Sequence, residues 1–402
     1  MAARWRGAAV GAAAVGLVVV PPGFGPGRAG DAPAPAAASA APASDGFPRL
    51  TPPVAARLDR AVLEVLDEAR VPGVVVALSA PGKGEYVRAF GVADEATGAP
   101  MKTDMRMRIG SVTKTFTVTA LLRLVDDGKV GLDDPVGKYL SGVPNGDRIT
   151  LRELAAMRSG LFNYSEDEGF LKALTAGPRR PFTPQELLSY AFRHPVQFAP
   201  GAEFDYSNTN LVLLGLVVEK VSGKPLDRFV TERVIAPAGL RHTLFPTGAE
   251  FPEPHARGYT DQTATGKVGE STDWNPSWGW AAGGMVSDLA DLRSWAATLA
   301  TGTLLTPATQ AARLDVTRAA PDAGYGLGVF DVAGWIGHNG SLPGYQALVV
   351  YLPESRATLV VLLNTDICAR GAEPSTRFGE AITRVVTPRH VFRLPAQPVT
   401  GS

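Results

Sequence analysis

Three features of the sequence predict an α/β fold with an all-α insertion. Strand-like patterning occurs near the start, at Val74–Ser79 and Tyr86–Val92, and returns between Tyr325 and Leu363. The stretch between, from about Asp133 to about Trp280, reads as helices and long loops. A largely apolar helix opening at Ser111 stands at the first junction. Sheet-plus-helix segments on both sides of a helical middle imply an antiparallel sheet flanked by helices and split by the insertion. A site is expected in the cleft between the two parts.

Arg4 and Arg6 precede an apolar Gly7–Val20 segment bounded by Pro21 and Pro22, too short to span a bilayer. Gly23–Gly46 is rich in Ala, Pro, Gly and Ser and cannot bury enough apolar surface to order itself. Residues 1–47 are therefore expected to be a secretory leader and disordered tether, and the protein to be secreted or extracytoplasmic. One catalytic domain is expected over 48–390, its α/β part at about 48–132 and 281–390 and its all-α part at about 133–280. Residues 391–402 read as a tail.

Within the domain, Leu58, Val62, Leu63, Val65 and Leu66 recur at helical spacing, and Val71-Pro72-Gly73 ends that helix. Pro81–Gly84 turns the first strand into the second. The Ser111 helix runs through Val118, Leu121, Leu122 and Leu124 to a stop at Gly128. In the insertion, Thr150–Glu153 and Thr183–Glu186 both match a capping box, the second with proline at its first helical position. Leu211–Val221 is apolar nearly all round, so it should be buried, and Gly223 should end it. Strands are then expected at Tyr325–Phe330, Trp335–Ile336, Tyr345–Leu352 and Thr358–Leu363, with helices at Ser287–Ala300 and Thr376–Val386.

Composition narrows the function. The 39 basic and 39 acidic side chains cancel, which argues against nucleic acid or an anionic membrane as partner. The five histidines show no ligand spacing and Cys368 is alone, so neither metal nor cofactor is expected.

Ser111 and Lys114 lie almost one turn apart on one helix face. A helix N-terminus favours developing negative charge at Ser111. Lys114, one turn deeper, would be desolvated, which lowers an ammonium pKa. That pairs a nucleophile with a proton acceptor, although Ser-x-x-Lys alone is also an ordinary helix cap followed by a solvated lysine. Tyr206 and Asn208 fit equally a cap on the Leu211 helix, His338 a plain strand residue, and Trp278 the core.

Taken together, Ser111-x-x-Lys114, Tyr206-x-Asn208 and His338-Asn339-Gly340 resemble, in order and spacing, the motifs of the penicillin-recognising serine enzymes. The chain looks like their class C-type branch, which includes D-alanyl-D-alanine carboxypeptidases, class C β-lactamases, D-aminopeptidases and esterases. The likeness runs from about Leu50 to Val386 and is greatest to secreted actinomycete D-alanyl-D-alanine carboxypeptidases. It implies a serine acyl-enzyme hydrolase acting as a monomer on a small peptide or β-lactam, and it makes Ser111 the nucleophile with Lys114 and Tyr206 as proton shuttle. A phenol beside an ammonium would have a lowered pKa, and which of the two takes the first proton stays open. Asn208 is expected to bond Lys114 and the substrate, and the Ser111 and Ser341 N–H groups to receive the oxyanion. Gly340 would let a substrate backbone lie against the strand, and Trp278 would line the substrate's terminal side chain. His338 replaces the lysine common in this family and is expected to serve as a titratable cation for a substrate carboxylate. A β-lactamase, an esterase or D-aminopeptidase, and a catalytically silent penicillin-binding-like protein are the alternatives.

Overall fold

The computed structural model describes residues 46–320, 323–368 and 372–394. The expected leader and tether, apart from Gly46 and Phe47, and the tail beyond 394 lie outside the described residues. Nine strands make one antiparallel sheet: β1 (Gly73–Ala80), β2 (Gly84–Asp94), β3 (Ala99–Pro100), β4 (Thr317–Ala320), β5 (Ala323–Tyr325), β6 (Phe330–Val332), β7 (Trp335–Leu342), β8 (Tyr345–Leu352) and β9 (Ala357–Leu363). Their order is β3-β2-β1-β9-β8-β7-β6-β5-β4. The first strand thus pairs with the last, from Val74 opposite Leu363 to Ser79 opposite Thr358. Both strands are continuous apolar runs because helices cover both faces of the sheet.

Five helices frame the site: α1 (Pro52–Glu68), α2 (Thr113–Asp126), α3 (Asn208–Ser222), α4 (Leu289–Thr301) and α5 (Pro374–Val386). On β8, Leu348 meets Gly379 of α5, while Tyr351, of opposite parity, lines a crevice with Ala297 of α4. These two helices therefore lie on opposite faces, and α1 packs beside α5.

The structure departs from the sequence reading at several points. The single strand expected over Tyr325–Phe330 is two, β5 and β6, joined by a turn in which Gly326 N donates to Val329 O over 2.8 Å and Gly328 takes a φ of +68°. The helix Pro307–Arg313 and strand β4 have no counterpart in that reading. The insertion is not wholly helical either. Tyr259–Thr260 pairs with Gly269–Glu270, and Tyr259 also bridges Thr365 at the end of β9. The Tyr345 hydroxyl donates to Ala256 O over 2.8 Å, and the Ser271 hydroxyl to Pro343 O over 2.9 Å. This segment turns extended because its partners are the sheet and the β7–β8 turn.

Thr150 and Glu153 close both halves of a capping box. Thr183 makes only one half, accepting from Glu186 N, because Glu186 is drawn to Arg180 by two contacts of 2.7 and 3.2 Å. A bidentate arginine outcompetes one backbone N–H for the carboxylate.

Helix α2 is the axis of the domain, with 11 of its residues buried. Its threonines are weak helix formers, yet four of their hydroxyls are satisfied inside. Thr113 Oγ1 accepts from Met285 N, Thr115 donates to Val112 O, Thr117 to Ala281 O and Thr119 to Thr115 O. Trp295 of α4 stacks on Phe116 with centroids 4.0 Å apart and donates its indole N–H to Thr115 Oγ1 over 2.8 Å. We predict that Trp295→Ala lowers unfolding free energy by about 3–5 kcal/mol, the usual range for deleting a buried aromatic. Denaturant titration measures it, and an unshifted midpoint would remove Trp295 from the core that holds α2.

Candidate active site

Ser111 sits in a 3₁₀ turn, Gly110–Val112, that runs directly into α2. Gly110 has a φ of +51°, and an added Cβ there would lie 2.7 Å from Ser341 N. A Cβ on Gly340 would overlap the Ile109 carbonyl oxygen and come within 3.0 Å of Ser111 N. Two backbones therefore meet where only glycine fits, which sets the Ser111 and Ser341 N–H groups side by side. The β7–β8 hairpin aims the second of these. Leu342 faces Tyr345 across a two-residue turn, so that pair shares the ladder bonds and the Ser341–Gln346 pair does not. Ser341 N–H thus points away from β8, and β6, whose register reaches β7 only as far as Gly337, leaves that edge open.

Lys114 is fully buried, its Nζ 2.9 Å from Ser111 Oγ and donating over 2.8 Å to Ala282 O. Desolvation holds its pKa well below the ordinary lysine value. This favours the uncharged amine, whose lone pair can take the Ser111 proton while one N–H stays on Ala282. The Tyr206 ring lies 4.8 Å beneath Nζ. Its hydroxyl has no hydrogen-bond partner of ordinary geometry among the described residues. Burial raises the phenol's pKa, outweighing the lowering influence of Ser111. The lowered phenol pKa expected beside an ammonium is thus reversed, because the same burial that lowers the Lys114 pKa also opposes a phenolate.

His338 differs from its expected role as well. It is 2% exposed, and burial first, then the nearby Lys114, lowers its pKa to about 3. Its Nδ1 lies 2.5 Å from Asn339 O, so this nitrogen carries the proton, and Nε2 accepts from the Tyr325 hydroxyl 3.0 Å away. The imidazole is neutral at physiological pH and is no cation for a carboxylate. Among the described residues, no arginine or second lysine is hydrogen-bonded to, or in ring contact with, Ser111, Tyr206, Asn208, His338 or Ser341.

Asn208 is brought to the site but not to Lys114. Its amide donates to Ser165 Oγ over 3.0 Å, and its backbone N–H to Asn163 Oδ1 over 3.1 Å. The Arg158–Ser165 loop caps α3 in this way, and Ser207 makes no side-chain cap. Trp278 packs against Phe170 in an aromatic group, and its carbonyl accepts from Tyr164. It is 7% exposed, so most of its ring is packed in the core.

Several residues of the site carry no sequence signal. Tyr325 sets the His338 tautomer, Ala282 contributes only a carbonyl, and Asn339 donates to Glu373 Oε2 over 2.9 Å. His242, Asp288 and Asp291 also converge away from the site. There Asp288 caps α4, and Asp291 accepts from Arg241 N, His242 N and the Thr243 hydroxyl.

With this geometry in hand, the chain matches the β-lactamase family model over residues 58–377. A D-stereospecific amidohydrolase from Streptomyces sp. superposes with a TM-score of 0.74 at 32% identity, covering 83% of this chain and 98% of that one. Esterase EstB of Burkholderia gladioli is 36% identical over 219 residues, 52% of this chain and 55% of the esterase. A putative D-alanyl-D-alanine carboxypeptidase of Escherichia coli O157:H7 is 31% identical over 202 residues, 47% of this chain and 46% of that protein. The match thus spans about half the length of these last two relatives.

Two outcomes are expected. The His338 imidazole should keep constant nitrogen chemical shifts from pH 8 to pH 5, since its pKa lies below that window, and a midpoint near 6.5 would contradict the neutral assignment. Gly340→Ala should push β7 from Ser111, destabilising the fold by about 1–3 kcal/mol and slowing acylation. An unchanged acylation rate would show that the two backbones need not meet there.

Proposed function

The chain belongs to the β-lactamase family and is a serine hydrolase, and from that premise we propose that it is an exported amidohydrolase. Its proposed substrates are D-amino-acid amides, esters and peptides whose departing end bears no free carboxylate. The observation that carries the reaction class is the buried Lys114 amine 2.9 Å from Ser111 Oγ. A neutral amine at that distance is a base for a hydroxyl nucleophile.

In the proposed reaction, the Ser111 proton passes to Lys114 as Oγ attacks the acyl carbon. The tetrahedral oxyanion is received by the Ser111 and Ser341 N–H groups, donors of a kind worth about 2.7–4 kcal/mol each. The proton then moves from Lys114 through the Tyr206 hydroxyl to the departing nitrogen as the C–N bond breaks. Water reverses the path, giving its proton to the same pair, which returns one to Ser111 Oγ as the acid leaves. Tyr206 relays and does not store charge, because burial opposes a phenolate.

The neutral His338 supports the substrate side. A D-alanyl-D-alanine carboxypeptidase, the narrower reading that the sequence suggests, must place a terminal carboxylate, and an uncompensated charge in a cleft is costly. Similarity to a D-stereospecific amidohydrolase and to an esterase supports amide and ester cleavage with D-stereospecificity. The Arg4–Val20 leader pattern supports export.

Ser111→Ala should abolish covalent labelling by a D-alanyl p-nitrophenyl ester, read by mass spectrometry of the intact protein, with the fold retained. Lys114→Met should slow acylation by at least about 10²-fold. Tyr206→Phe should slow amide cleavage far more than release of p-nitrophenolate, which needs no proton to depart. Labelling of the alanine variant at the wild-type rate would remove Ser111 from the mechanism. Equal losses on amide and ester would remove the relay from Tyr206.

A further inference from the structure

Behind the third motif lies a carboxyl group that the reaction does not use. Glu373 stands immediately before α5, and its Oε2 accepts from Asn339 Nδ2 over 2.9 Å. Asn339 and Ser341 are two apart on β7 and share the face that α5 covers. The same face ties the helix to the oxyanion donor's strand: Gln346 Nε2 donates to Ser341 Oγ over 3.3 Å, and Gln346 Oε1 accepts from Ser375 N over 2.9 Å. Glu373 is closely surrounded by protein yet keeps part of its surface in solvent. It is also near enough for its charge to raise the pKa of Tyr206.

We propose that Glu373 is a specificity-determining residue, a carboxyl group anchored on Asn339, two residues from Ser341, that in its ionised form repels acyl donors whose departing end carries a carboxylate. It thereby favours neutral amides, esters and amine-bearing ends. This rests on the acyl-transfer reading above and deepens it by adding active exclusion to the neutrality of His338. Asn339 brings no opposing charge, because its side-chain amide is neutral and donates to the carboxylate. Among the described residues, the groups facing Glu373 are Asn339 from β7, Asp366 and Cys368 from the segment after β9, and Tyr206 from the loop before α3. Cys368 and Tyr206 stay protonated near neutrality, since burial raises both. Asp366, held by Gly344 N, Thr260 and Gln262, is itself raised to about 6. Burial, and then the Asp366 charge, lift the Glu373 carboxyl to about 7 against the Asn339 bond that lowers it. The repulsion is therefore present above pH 7 and fades as pH falls through it.

The test compares kcat/KM for N-acetyl-D-alanyl-D-alanine and its C-terminal amide between pH 6 and 8.5, in the full chain and in Glu373→Gln. Gln keeps an acceptor for Asn339, so a purely structural role would leave the ratio unmoved. The wild-type acid-to-amide ratio should rise as pH falls, by about tenfold, the scale for like charges roughly 10 Å apart at a protein surface. The Gln variant should show the raised ratio at every pH, with any residual slope below pH 6.5 belonging to Asp366. A wild-type ratio that stays flat with pH overturns the proposal, even where the variant fails to fold. So does a Gln variant with the wild-type ratio and slope. Hydrolysis of neither compound by the wild type overturns the functional reading, and this proposal with it.

Discussion

The site depends on the desolvation of one amine. Lys114 would be an ordinary ammonium at any exposed position, and water would solvate it better than Ser111 and Ala282 can. Enclosing it shifts the balance toward the uncharged form, and the enclosure is built by the whole domain. Helix α2 supplies a buried seat, the short Trp280–Gly283 helix offers Ala282 O, and the Tyr206 ring closes the underside. The satisfied threonine hydroxyls of α2 belong to the same design. Each allows a polar group into the core without an unmade hydrogen bond, so the helix can sit deep enough to take its lysine out of water.

The same low polarity sets the state of the neighbours. Tyr206, Tyr325 and His338 are held uncharged by burial, and the hydrogen bonds of His338 fix one tautomer. Burial thus disfavours charge on both members of the acid–base pair, Lys114 and Tyr206. The donors that must meet negative charge are backbone N–H groups, which stay neutral at every pH and are fixed by two glycines in contact, Gly110 and Gly340.

Much of this was legible in the sequence, and the reasons for success and failure are physical. Helix ends were readable because caps are local: Thr150 with Glu153, and Gly223 in the left-handed region. The three motifs were readable because the chemistry restricts residue types at Ser111, Lys114, Tyr206 and His338. Charge states were not, because they depend on packing from remote segments. His338 looks titratable in the chain and is neutral only where β7 meets Lys114 and Tyr325. Asn208 looked like a partner for Lys114, but Lys114 Nζ is turned to Ser111 Oγ and Ala282 O, and the Asn208 side chain donates to Ser165 Oγ. Glu186 left its capping box for Arg180. Glu373 is silent in the sequence, a lone acid before a helix-starting proline, and gains meaning only beside Asn339.

The pairing of β1 with β9 has a consequence for how the molecule comes into being. The centre of the sheet is made from the two ends of the domain, so the earliest strand cannot find its inner neighbour until nearly the whole domain has been synthesised. Hairpin β1–β2 and the helical insertion can form from local contacts, but they must wait with the apolar inner edge of β1 unpaired. Non-local closure of this kind is slow, and an open strand edge is the part of a nascent chain that chaperones must guard. The last strand to emerge, β9, is the keystone, and a chain truncated before Leu363 lacks the middle of its sheet as well as its end.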